Sequence, residues 1–384
     1  MSPIANWCSC TSCHAGYGWK ENTFDFKDPS RVDCLVCHDR TGSYEKAPAG
    51  CGDEKKGLDL VKIARGVGRP TRANCGSCHF CGGGGDAIKH GNLSEALIDP
   101  PRELDVHMGG LDFACQDCHT TNGHRIAGAS MTTCVSEGRV SCTDCHDERP
   151  HATDRHAVQK TLNDHCDAIA CETCHIPTFA KAKPTLLFWN WALAGRDTKE
   201  LENSPYCITT QHRKKGLFIK KANVAPAYAW YNGRHERYRM GERVDVTGTT
   251  YLNPPAGGIQ DPEAKITPFK IHTGVQPADA TFQYLLVPEL WGGYWEHFDW
   301  ERAIRSGMKE AELPYSGKST FVTTVMHWRL NHGVAPKEQA LGCMDCHGAK
   351  ALMDFEALGY PGDPAVAGGR LVSGPEGPKE RKRP

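Results

Sequence analysis

A mostly α chain with extensive irregular loops and little β is what the sequence predicts, and three observations carry that prediction. The pattern C-x-x-C-H occurs seven times in 384 residues. Gly (40) and Pro (24) are abundant and break the chain into short elements. The hydrophobic fraction, 39%, is modest for a chain that must bury a core of its own.

The seven motifs are Cys10, Cys13 and His14; Cys34, Cys37 and His38; Cys75, Cys78 and His79; Cys115, Cys118 and His119; Cys142, Cys145 and His146; Cys171, Cys174 and His175; and Cys343, Cys346 and His347. At this Cys and His content, chance supplies the pattern on the order of 0.05 times. The spacing has a chemical reason. Two thiols add to the two vinyl groups of a haem, and the adjacent histidine reaches the iron. Zinc sites and disulfides do not require a histidine after every second cysteine. The chain is therefore expected to carry seven covalently attached haems c, in a multihaem cytochrome c fold whose macrocycles form much of the core.

The chain divides by motif density. Residues 1–180 hold six motifs and form a haem-dense region. Residues 181–340 hold none and are aromatic-rich, with Phe188, Trp189 and Trp191, then Tyr228, Trp230 and Tyr231, then Trp291, Trp295 and Trp300. They are expected to provide distal ligands and a cavity wall. Residues 341–372 carry the last motif. The Pro- and charge-rich tail 373–384 reads as disordered. Short helices are predicted over 58–64 and 301–309. Six cysteines lie outside the motifs: Cys8, Cys51, Cys81, Cys134, Cys166 and Cys207. Twelve of the 19 histidines also lie outside them, enough to close six-coordinate irons.

Formal charge is −1, and no basic stripe points to nucleic acid. No apolar run is long enough to span a membrane. Haem is attached outside the cytoplasm, so a periplasmic location is expected. The chain opens Met1-Ser2-Pro3-Ile4 with neither charged n-region nor apolar h-region, which reads as a lost N-terminus.

One stretch stands apart: C-G-S-C-H-F-C over 75–81, then Gly82 to Gly85, then D-A-I-K-H-G over 86–91. Together with C-T-S-C-H-A-G-Y-G-W (10–19), V-D-C-L-V-C-H-D (32–39), A-C-E-T-C-H-I-P (170–177), I-T-P-F-K-I-H (266–272) and N-H-G-V-A-P-K-E (331–338), it resembles the octahaem tetrathionate reductase family of c-type cytochromes. That family carries eight attachment sites, one of them upstream of its C-T-S-C-H.

The resemblance implies that the haem on Cys10, Cys13 and His14 is catalytic and that Lys89 ligates its iron. It implies that His90 serves a different haem. It makes His107, His124, His151, His165, His272 and His332 distal ligands. Cys8 matches an active-site cysteine only approximately, since the family's lies further upstream. Asp261 and Lys265 are the candidates for a polar pocket wall.

A lysine ligand would matter because a bis-histidine iron is closed. An ordinary lysine amine must lose its proton to bind a metal, at a cost on the order of 4–5 kcal/mol at pH 7. Such a ligand is displaceable, and the ammonium then formed attracts an anion. The expected activity is reduction of a small anionic substrate: tetrathionate, nitrite or hydroxylamine. The expected electron donor is a partner cytochrome or quinol dehydrogenase. The competing readings are a non-catalytic electron carrier, with His297 or His327 closing the first haem, and a hydroxylamine-oxidising enzyme.

Overall fold

The computed structural model describes residues 2–81, 85–128, 140–197 and 207–370. Gly82 to Gly84, Cys134 and the tail 373–384 lie outside the described residues.

The motif-bearing parts fold as predicted in kind: single helical turns joined by irregular chain. The turns are Trp7–Cys10 with Thr11–Cys13, Leu35–His38, Cys115–Cys118, Cys142–Asp144, Cys171–His175 and Cys343–Cys346. Each is too short to be stable from helix propensity, and local caps hold them. In C-Q-D-C-H, C-T-D-C-H and C-M-D-C-H the aspartate folds back. Asp117, Asp144 and Asp345 accept from the backbone N–H of residues 114, 141 and 342 at 2.7–2.8 Å. The longest motif helix, Arg72–His79, has a reciprocal Thr71–Asn74 capping box. The remaining helices include Leu60–Arg65, His156–His165 and Trp300–Glu310.

The prediction of a mostly α chain with little β is corrected here. Only 25% of residues are helical and 20% are in strands. After a two-stranded ladder of β1 (Thr121–Asn122) and β2 (Arg125–Ile126), the strands are β3 (Thr185–Asn190), β4 (Cys207–His212), β5 (Gly216–Lys221), β6 (Ala227–Tyr231), β7 (Thr249–Tyr251), β8 (Lys265–Asp279) and β9 (Ser319–Arg329). β3 to β9 form one mixed sheet in the order β4-β5-β3-β8-β9-β7, with β6 also on β8. β3 runs parallel to β8, and β7 to β9; the other pairs are antiparallel. All seven strands come from the region without attachment motifs.

The physical reason is that this region carries no attachment motif to tie its backbone into short turns. Its backbone groups are satisfied by a ladder, and its aromatics pack on one another. The strand signal was present in the β-branched and aromatic runs of 185–189 and 321–328. Pro268 and Pro277 obscured it in β8, because proline argues against a central strand. β8 nevertheless pairs along its whole length, from Tyr231↔Lys265 to Asp279↔Ser319.

The sheet is packed at three places that position the haem-dense part. Trp230 and Ile266 meet Met353, Phe355, Leu358 and Tyr360, so the end of the chain covers β6 and β8. Trp191, Leu290, Tyr294 and Ala303 form a second cluster. In a third, Ile4 and Ala5 pack against Tyr284, Ile304 and Met308. Asn6 locks that contact by donating to the Pro288 carbonyl at 3.0 Å and accepting from the Leu290 N–H at 2.8 Å. The segment before the first motif is thereby moored to residues 284–308.

Helix Trp300–Glu310 lies so close to residues 287–289 that a Cβ on Gly307 would stand 1.8 Å from the Val287 carbonyl oxygen. Gly307→Ala tests the packing against propensity. Propensity alone favours alanine by about 1 kcal/mol, whereas the contact requires backbone to move. The expected outcome is a lower thermal midpoint with an unchanged haem spectrum; a raised midpoint would show that the helix has room to spare.

Candidate functional site

The sequence leaves open which free histidine meets which motif, and the fold answers for five. His38 faces His124 with ring centres 6.3 Å apart, and His146 faces His107 at 6.1 Å. His119 faces His332 at 6.2 Å, His175 faces His151 at 6.4 Å, and His347 faces His165 at 6.3 Å. Two imidazoles held on opposite sides of one metal by bonds of about 2.0–2.1 Å place their ring centres roughly 6 Å apart. Five independent pairs at one spacing would each suit an iron held by two histidines.

The other ring nitrogen is often secured. Nδ1 of His38 donates to the Gly68 carbonyl at 2.8 Å and Nδ1 of His119 to the Ala127 carbonyl at 2.8 Å. Nδ1 of His347 meets Asp363 at 2.6 Å, and that of His151 meets the Asn163 amide oxygen at 3.2 Å. Each contact leaves Nε2 for a metal and fixes the ring plane. Burial, its largest cause, pushes His332 down to about 4, so the imidazole is neutral, as metal binding requires.

The motif cysteines also meet in register. Cys13 lies within hydrogen-bond reach of Cys78, Cys75 of Cys115, and Cys142 of Cys171. Cys118 is within electrostatic reach of Cys145, Cys174 of Cys346, and Cys37 of Cys78. The attachment sites therefore form one continuous line, from motif 10–14 through 75–79, 115–119, 142–146 and 171–175 to 343–347. Motif 34–38 stands beside 75–79.

The site at the head of that line differs from the five pairs. His14 Nδ1 donates to the Thr11 carbonyl at 2.5 Å, and its Nε2 is buried without a hydrogen-bond partner. Its ring is flanked by Trp19 at 5.2 Å and Phe24 at 5.5 Å, both edge-on. Among the described residues no imidazole faces it at the spacing of the pairs. Gly52, at φ +94°, closes the back of the ring. A Cβ there would stand 2.4 Å from the imidazole, so only glycine fits. The orphaned Nε2 and the glycine wall suit a haem held by His14.

Lys89 is among the positive groups within electrostatic reach on this side. Burial raises the Cys10 thiol, and positive charges that include Lys89 oppose it. Cys13 is raised by its bond to Cys78 and by burial, again against the Lys89 charge. His90, next in the turn, lies edge-on to Trp328 at 4.9 Å. Burial first, then neighbouring positive groups that include His79, push it down to about 3.

A family model of bacterial cytochromes c matches residues 187–350. No curated protein matches the chain. Among solved structures, the crystal structure of the octahaem cytochrome c from Shewanella oneidensis is 45% identical, with 99% of this chain and 85% of that chain covered and a TM-score of 0.87. The chain belongs to the multihaem c-type cytochromes.

The cytochrome distributes the remaining predicted site residues unevenly. Cys8 is disulfide-bonded to Cys51 beside the first motif, so it presents no free thiol. Asp261 accepts from the Asn232 amide at 2.7 Å and from the Glu263 N–H. Lys265 donates to the Cys166 carbonyl at 2.6 Å and is within electrostatic reach of Cys171. Those partners belong to the neighbourhood of motif 171–175, not to the 85–91 turn. His272 is half-buried on β8, desolvation pushing it down to about 3, and among the described residues no motif histidine faces it. Sequence reasoning gave Lys270 no role, although K-I-H stood out. It is fully buried beneath the turn, and a lysine inside a β-branched run was the available signal. Among the described residues no helix is long and apolar enough to cross a membrane.

The ring planes yield a spectroscopic test. The 151/175, 119/332 and 165/347 pairs are near-parallel, at 9°, 20° and 27°. The 38/124 and 107/146 pairs are crossed, at 74° and 63°. Electron paramagnetic resonance of the oxidised protein should show rhombic low-spin signals from the former and large-g signals from the latter. His124→Ala should remove a large-g signal and create a high-spin one; loss of a rhombic signal instead would contradict the pairing.

Proposed function

We propose that this cytochrome is a reductase. Electrons would pass along the packed haems to a Lys89-ligated catalytic haem at motif 10–14, which reduces a small sulfur or nitrogen oxyanion: tetrathionate, nitrite or hydroxylamine. One observation carries the reading. Five motif histidines face an imidazole, whereas His14 and His79 do not, and of those two it is the His14 motif whose cysteines, Cys10 and Cys13, lie within electrostatic reach of Lys89. The resemblance to the octahaem tetrathionate reductase family supports the same assignment.

Bound haem supplies electrons and an iron position at which the oxyanion is reduced. The chain's own residues do the rest. Lys89 would hold the group through its amine, a weaker hold than an imidazole's, and once released the side chain would draw the anion in and donate a proton to it. Trp19 and Phe24 cover one side of His14 and keep water from it. His90 serves motif 75–79, the next site in the line. Residues 1–180 hold the electron path, and 181–340 supply the sheet behind it. The setting is periplasmic, with a partner cytochrome or quinol dehydrogenase as donor.

The five paired sites also favour a second reading, that of an electron carrier, and one variant separates the two. The dithionite-reduced protein is mixed with tetrathionate, nitrite or hydroxylamine, and haem reoxidation is followed optically. Wild type should reoxidise with at least one of them. Lys89→His should keep the reduced spectrum and lose turnover roughly 10²-fold, the scale of one proton-transfer group. Equal turnover in both proteins would sink the reductase reading.

A further inference from the structure

The structure assigns to Lys270 a positioning role: its buried ammonium fixes the peptide planes of residues 88 and 89, so that Lys89 and His90 leave the turn toward two different haem sites. This inference rests on the reading of Lys89 given above and names the device that aims it.

Three observations carry it. Lys270 has no exposed surface, and its Nζ donates to the Ile88 carbonyl at 2.6 Å, the Lys89 carbonyl at 2.8 Å and the Thr185 hydroxyl at 2.6 Å. An ammonium has three donors, and all three are used. The Thr185 hydroxyl in turn donates to the Ala87 carbonyl at 2.6 Å. Consecutive carbonyls at 87, 88 and 89 thus converge on one Lys–Thr pair. In a turn whose Ala87 has φ +61°, these bonds set the direction of each following side chain.

Lys270 is itself placed by the sheet. It pairs with Trp328 across β8 and β9, and His90 packs edge-on against that tryptophan. Both ends of the turn are pinned separately. Lys183, at the approach to β3, pairs with Asp86 and with Glu95. Asn92 donates to the His332 carbonyl at 2.7 Å and accepts from the Ala180 N–H at 2.8 Å. The ends have their own anchors, and Lys270 acts on the middle, where the two candidate ligands sit. Among the described residues it has no carboxylate partner, so a charge match does not explain its burial. The backbone oxygens do.

The test uses the oxidised holoprotein and near-infrared magnetic circular dichroism, which separates histidine/amine ligation from bis-histidine ligation. Lys270→Met should diminish the histidine/amine band, leave the bis-histidine bands in place and lower kcat with nitrite or tetrathionate roughly 10- to 100-fold, the cost of a misplaced group. Should that variant fail to take up its haems, Thr185→Val removes the supporting hydroxyl and should act in the same direction, with Thr185→Ser restoring the band. An unchanged band and unchanged kcat would overturn the assignment. Lys89→Met keeps the two readings apart. If it leaves the histidine/amine band intact, the functional reading fails. If it abolishes the band while the Lys270 and Thr185 variants do not, only the positioning role fails.

Discussion

Two neutral imidazoles on one iron must come from chain segments that meet at a separation set by bond length, and most of this molecule is arranged to meet that demand. His119 and His332 are more than 200 residues apart in sequence, yet their rings face each other at 6.2 Å. His165 and His347 do the same at 6.3 Å. A displacement of one ångström would break such a bond. The caps, the secured Nδ1 atoms and the buried loop contacts hold each ring to within that tolerance. Burial keeps the more enclosed rings unprotonated, and an imidazole binds a metal only in that form.

The sheet is the part of the molecule that meets this constraint without carrying an attachment motif. β8 presents Lys270 and His272 on one face, two residues apart. It pairs with β9, whose continuation brings His332 to motif 115–119. β3 sets Thr185 under the lysine–histidine turn. A flexible insert would leave those positions to thermal motion, whereas a ladder sets them by register. Reading the aromatic-rich region as a source of distal ligands and a cavity wall missed this. The β-branched residues that form the ladder were in view, but the prolines of β8 and the density of motifs argued for irregular chain.

Motifs 10–14 and 75–79 stand outside the five pairs, and the first is the sharper exception. Its histidine is walled by glycine and aromatic rings and faces no imidazole among the described residues, and a charged side chain lies within electrostatic reach of its cysteines. The Cys8–Cys51 bond and the Asn6 mooring make the exception rigid as well as distinct.

The sequence by itself marked the candidate covalent chemistry: fourteen cysteines in attachment motifs, the seven histidines that follow them, and one lysine beside a histidine that stands out. Those facts are local, because the attachment pattern is complete within five residues. It also pointed to short elements, and the structure added that three of the motifs carry an aspartate that caps their turn. Only the tertiary structure decided the pairing of distal histidines, the order of the sites, and the distance of Asp261 and Lys265 from the turn in terms of whom they touch. Only it revealed Lys270. Each of these depends on contacts between residues far apart in the chain, and such contacts are set by the register of a sheet that no local pattern specifies.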